Sequence, residues 1–363
     1  MQCSDFYRSK QLKQMKRSII LLAVLVISLC GFYPENSDKI ETFTNPLLPS
    51  GADPWVIQKD GYYYYTNTSG ARLSIRKTTS LAKLKDAVQQ VVWTPPVGTS
   101  YSKEIWAPEL HFINNKWYMY FAADDGNNVN HRMYVIENSS ADPMEGTWEF
   151  KGKVADPSDK WAIDGSVFEH DNVLYMIWSG WEGDVNGRQD IYIAKMKNPW
   201  TIEGNRVRIS SPKYKWERDG DLKGIPSHVD VNEGPQILRN KGKLFIVYSA
   251  SGCWTDSYAL GLLTFAGKKN LLDSAAWEKS AEPKFIQSIE NNVYAPGHNS
   301  FFKSPDGRED WILYHANSEP GQGCGRFRSP RAQKFTWNKD GTPNFGTPVR
   351  ADLDIPVPSE RKK

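Results

Sequence analysis

The chain has 363 residues, 24% charged and 13% aromatic, with 27 Gly and 22 Pro scattered along it, which excludes a disordered chain, a collagen and a coiled coil. Its net charge of +3, from 45 basic and 42 acidic side chains, falls far short of the excess that binding a phosphate backbone demands, so no nucleic-acid partner is expected. Length favours two domains at about 150 residues each, although propellers and barrels run longer as one unit.

In chain order the first element is a leader. Met15-Lys16-Arg17 followed by the apolar residues 19–29 has the charged head and short hydrophobic stretch of a bacterial secretory signal, too short to span a membrane comfortably. Val26-Ile27-Ser28-Leu29-Cys30 resembles a lipoprotein lipobox, with Leu29 where a small residue is usual, so both lipidation at Cys30 and simple cleavage nearby stay open. The only membrane contact expected is through such an anchor. Residues 1–29 hold five basic side chains and one acid, and without them the balance is 40 basic to 41 acidic, a net of −1. Export leaves Cys253 and Cys324 in an oxidising compartment, with no Cys/His spacing of the zinc type. The expected layout is a leader over 1–30, a linker over 31–44, one domain over 45–350 and a tail over 351–363.

Next come short aromatic and β-branched runs beginning at Tyr62, Trp117, Leu174, Leu244 and Trp311, spaced 55, 57, 70 and 67 residues apart. Each is preceded by an ionisable residue beside Gly or Pro: Asp53-Pro54, Pro108-Glu109, Asp164-Gly165, Glu233-Gly234 and Gly297-His298. Turn residues such as Lys59-Asp60-Gly61 and Asn114-Asn115-Lys116 join the two halves of each unit as a hairpin. Five copies predict an all-β, five-bladed propeller whose blades are four-stranded antiparallel meanders around a central funnel. The amphipathic stretch 80–91 is too short for more than a loop element or one helical turn. One acid beside a glycine is ordinarily a turn former on a solvated loop. Five at equivalent positions predict four carboxylates and an imidazole converging on the funnel, where confinement separates their pKa values.

Gly51-Ala52-Asp53-Pro54-Trp55-Val56, Trp106-Ala107-Pro108-Glu109-Leu110-His111, Ile163-Asp164-Gly165-Ser166, Asn232-Glu233-Gly234-Pro235 and Ala295-Pro296-Gly297-His298-Asn299, in this order, resemble glycoside hydrolase family 43. The resemblance implies a five-bladed propeller enzyme that inverts configuration on arabinose- or xylose-containing glycans. Carried over, it makes Asp53 the general base, Glu233 the general acid and Asp164 the carboxylate that tunes and orients the acid. It suggests His298 as part of the water-mediated shell of a structural calcium on the axis, with no cofactor required for the chemistry. Trp106 and Trp55 become candidate sugar platforms, Trp178, Trp181 and Trp254 candidate rim residues, and Glu109 a structural acid or distant ligand contact. Arg331, rather than Arg328, is the arginine expected in the funnel. Cys253 and Cys324 fall on adjacent loops at one end of blades four and five, where a stapling disulfide is expected. The long segments 210–231 and 266–293 are expected to wall off one end of the funnel and favour exo action. The leading expectation is an exported α-L-arabinofuranosidase, with β-D-xylosidase, β-D-galactofuranosidase and a non-catalytic sugar-binding propeller as alternatives. A lectin would repeat one constellation in every blade, and the differentiated series Asp, Glu, Asp, Glu, His argues against that. Oligomeric state is not legible in the sequence.

Overall fold

Period-two alternation is the key to the architecture, because successive side chains of a strand leave on opposite faces. In a computed structural model, which describes residues 41–267 and 270–360, Tyr63 and Tyr65 pack with Phe302, Trp311 and Leu313, while Tyr64 between them packs with Trp117, Met119 and Phe121. Tyr118 and Tyr120 likewise face Trp161, Met176 and Trp178. Each aromatic second strand therefore fills two cores, one on either side, and the hydrophobic clusters lie between neighbouring blades.

The strands form five four-stranded antiparallel meanders, over residues 55–93, 103–154, 162–210, 230–279 and 294–344. The third and fourth are joined by a short parallel pairing of Arg188 with Asp230 and Gln189 with Val231. First strands Trp55–Lys59, Lys103–Ile113, Ala162–His170, Asp230–Asn240 and Tyr294–Lys303 each touch the next, and the last touches the first, so the ring closes. The hairpin turns fall where the sequence places them, as in Lys59 opposite Tyr62 and Ile113 opposite Lys116. Residues 80–91 hold a 3-10 turn, Leu81–Asp86, but also begin the fourth strand of blade one, Gln89–Trp93.

The seam between blades five and one is held from both termini. Thr42 pairs with Pro356 and Phe43 with Ile355. The Asn45 side chain exchanges hydrogen bonds of 3.0 and 2.9 Å with the backbone of Ala332, and Leu47 donates to the Pro330 carbonyl at 2.8 Å. The body thus extends past the expected boundaries at 45 and 350: the end of the linker and the start of the tail pair with each other because they cover the apolar seam around Trp311. The leader, with Cys30 and its lipobox, lies outside the described residues.

Candidate active site

The inner strands of blades two to five are bulged, those of blades two and five twice. Register shifts fall between Trp106 and Glu109, Ile163 and Ser166, Glu233 and Gln236, and Gly297 and Ser300, with further shifts between Lys103 and Trp106 and between Tyr294 and Gly297. Positive φ at Asp53, Ala107, Asp164, Gly234 and His298 marks the equivalent residue of every blade. A bulge re-aims side chains, and these bulges tip the strand starts into a cavity of about 500 Å³. The true equivalents are therefore Asp, Ala, Asp, Gly and His. Glu233 precedes the bulge position by one residue and still reaches the cavity, whereas Glu109 follows it by two and does not line it. At Gly234 a Cβ would lie 3.3 Å from the His298 ring, so a glycine is needed there on space as well as on φ.

Asp53 is enclosed. Its Oδ1 lies 2.9 Å from Arg328 Nη1 and 3.3 Å from His298 Nδ1. Its Oδ2 accepts from the Thr68 hydroxyl at 2.6 Å, and its backbone N–H donates to His315 Nδ1 at 3.1 Å. Burial alone would raise this carboxyl, but the Arg328 guanidinium, the two imidazoles and the Thr68 hydroxyl outweigh it and hold the group well below the carboxylate range. Burial lowers the pKa of both His298 and His315. Because His315 Nδ1 is an acceptor, its proton sits on Nε2.

Glu233 and Asp164 are pushed the other way. Burial raises Glu233 to about 7, with Asp53 adding to the shift and the Tyr258 hydroxyl and Arg328 opposing it. Asp164 is raised by burial and then by the Glu233 charge, while the Gly234 N–H, 3.0 Å from its Oδ2, favours its anion. Between them the pair retains a proton near neutral pH.

Trp106 lines the cavity, its ring stacked on His131 at 4.0 Å and its Nε1 3.1 Å from Glu104 Oε2. Trp254 also lines it. Trp55, Trp178, Trp181 and Arg331 sit elsewhere than expected, and Glu109 takes the structural one of its two expected roles. Trp55 is not in the cavity: its Nε1 donates to the Leu110 carbonyl at 2.8 Å and its ring packs on His111, in the core between blades one and two. Trp178 is interblade core against Tyr192, and Trp181 is buried behind Trp161, which lines the cavity in its place. Glu109 is buried beneath the cavity, 2.9 Å from His111 Nε2 and hydrogen-bonded to Gln236. Arg331 is fully buried within blade five, with Nη2 on Ser318 Oγ at 2.7 Å, and Arg328 takes the funnel position. Arg331 lies inside its strand and faces the core, whereas Arg328 precedes the strand and turns back onto Asp53.

The Cys253–Cys324 disulfide is present and lines the cavity. Of the two long segments, 210–231 contributes Leu222 and Val229 to the wall, whereas no described residue of 266–293 does. Residues 281–287 share a separate groove with Tyr214 and Trp216. Among the described residues no group of three or more His, Cys, Asp or Glu side chains is arranged to hold a metal ion. His298 Nδ1 faces Asp53 beside the Arg328 guanidinium, so that ring nitrogen is committed to the carboxylate rather than to a cation. Residues the sequence left unassigned include Thr68, Trp161, Tyr258 and His315. Of these only His315, ending the fifth aromatic run, stood in a repeated position.

A model of the family described as Glycosyl hydrolases family 43 matches residues 43–343. The chain is 41% identical over 345 residues to an extracellular exo-alpha-(1->5)-L-arabinofuranosidase of Streptomyces avermitilis, covering 93% of this chain and 69% of that protein. It is 38% identical over 279 residues to a protein of the same name from Streptomyces chartreusis, covering 76% and 82%. Among solved structures, an alpha-L-arabinofuranosidase from Lactobacillus brevis is similar at a TM-score of 0.78 and 38% identity, over 86% of this chain and 98% of that one.

Proposed function

The chain belongs to glycosyl hydrolase family 43, and from that premise we propose that it is an exported, exo-acting, inverting α-L-arabinofuranosidase. One observation carries the reading: a single cavity holds a carboxylate kept ionised, Asp53, and a carboxyl pushed up to about 7, Glu233. That is the pairing acid and base catalysis at neutral pH requires.

Asp53 takes a proton from water as the water oxygen bonds to the anomeric carbon. Glu233 gives its proton to the glycosidic oxygen as the bond from that carbon to the leaving group breaks. The product has the opposite anomeric configuration. Asp164, raised by burial and by the Glu233 charge and opposed by the Gly234 N–H, shares with Glu233 the proton that the pair retains. Trp106 supplies an aromatic face for the sugar ring. Leu222, Val229 and the disulfide close one side, which suits a pocket for a chain end. The chemistry needs no cofactor in this reading. The leader, the disulfide and the extracellular relatives support export, with Cys30 as the anchor point if the lipobox is used.

The test follows hydrolysis of an α-L-arabinofuranoside by proton NMR. The β-anomer is expected first, and Asp53→Asn should lower turnover by about 10⁴-fold. Release of the α-anomer first, or full turnover by Asp53→Asn, overturns the mechanism. Preference for a β-xyloside or β-galactofuranoside over the arabinoside in the same assay overturns the substrate assignment.

A further inference from the structure

Behind Glu233 a chain of hydrogen bonds has only one workable direction. The backbone N–H of His298 donates to Ser249 Oγ at 2.7 Å. A backbone N–H has no lone pair, so the Ser249 hydroxyl proton must go elsewhere, and Ser249 acts as a donor does on the neighbouring Tyr258 phenol, lowering its pKa against the effect of burial. Tyr258 Oη in turn lies 2.8 Å from Glu233 Oε1. Burial raises Tyr258 well above the ordinary phenol value, so it remains a neutral donor. Each hydroxyl accepts from the group before it and donates to the group after it. In the reverse direction Glu233 would donate to Tyr258, Tyr258 to Ser249, and the Ser249 proton would meet the His298 N–H head-on.

The tyrosine has no room to leave this line. Its ring stacks on His315 at 5.7 Å with only 3° between the planes. A Cβ on Gly297 would lie 2.2 Å from the ring's Cε1, so the glycine of the fifth motif is the space in which Tyr258 sits. The same His298 whose N–H starts the chain faces Asp53 with its imidazole, and the His315 under the tyrosine takes the Asp53 N–H. Both carboxylates are thus oriented from one buried assembly.

We propose that Ser249 and Tyr258 are positioning residues that make Glu233 Oε1 an acceptor and so confine the acid's proton to Oε2, the oxygen left for the cavity. The proposal rests on reading Glu233 as the general acid. A proton confined to Oε2 meets the glycosidic oxygen without rotation of the carboxyl; without the chain it divides its time between two oxygens, one of them facing the protein.

Acid assistance matters most when the leaving group is a poor one, and that gives a readout a merely structural role does not move. We would measure kcat/KM for aryl α-L-arabinofuranosides of rising leaving-group pKa in wild type, Tyr258→Phe, Ser249→Ala and Glu233→Gln. Glu233→Gln should show the steepest dependence. Tyr258→Phe should lose about tenfold on the poorest leaving group and little on dinitrophenolate, with its alkaline limb moved to higher pH because the anion loses a donor. Ser249→Ala, a smaller cut, should follow in the same sense with a smaller loss. A steep dependence in Glu233→Gln with wild-type slopes in both other variants overturns the positioning role alone. A wild-type slope in Glu233→Gln overturns the acid assignment, and the positioning role with it.

Discussion

Asp53 and Glu233 are buried alike, at 8% and 9% exposure, on the bent inner ends of blades one and four, yet they are held in opposite charge states. Burial raises both. What separates them is the company each keeps. Blade five brings Arg328 and the His298 imidazole to the Asp53 carboxylate, so its anion faces a cation and a ring nitrogen able to donate. Blades three and four bring a second carboxylate and a neutral phenol to Glu233, so its anion has nothing of opposite sign in direct contact. Depth sets the size of an electrostatic effect, and neighbours set its direction.

Removing the cation should erase the contrast. Arg328→Met strips Asp53 of its 2.9 Å partner and lets burial win, so the acid limb of kcat/KM should move to higher pH and activity at neutrality should fall by about a hundredfold. A pH profile of the variant checks both. Neutralising the other carboxyl should reveal what it costs the fold. Glu233 loses its proton near 4.5 when unfolded but only at about 7 when folded, so it weakens the native state progressively across that window. Glu233→Gln should therefore be more stable than wild type by about 3 kcal/mol in urea unfolding at pH 8 and no more stable at pH 4. The smallest contrast is between tryptophans. Trp106→Ala should raise KM about tenfold with little change in melting temperature, whereas Trp178→Phe should lower the melting temperature and leave KM alone, since one ring faces the cavity and the other the core.

The sequence made the blades legible because period-two alternation and hairpin turns are local signals, and five copies reinforced one another. It made Asp53, Asp164 and Glu233 legible through their motifs rather than through spacing. The near-constant intervals put Glu109 and Glu233 in register with Asp53, yet the bulge places them on either side of the equivalent residue, and a difference of one or two positions decides between cavity and axis interior. Arg328 and Arg331 are three residues apart, and the choice between them turned on where the strand begins, which the sequence leaves loose. Trp55 and Trp178 look like Trp106 in composition and differ only in the face they present. Tyr258 and Thr68 carry no motif, because their roles come from contacts with residues far along the chain.

The most direct test of the account is a carbon-13 NMR pH titration of the side-chain carboxyls, assigned with Asp53→Asn and Glu233→Gln. One glutamate signal, absent in Glu233→Gln, should titrate at about 7, while the Asp53 signal stays ionised to the lowest pH at which the protein remains folded. Midpoints for both near the ordinary value of about 4 would contradict it.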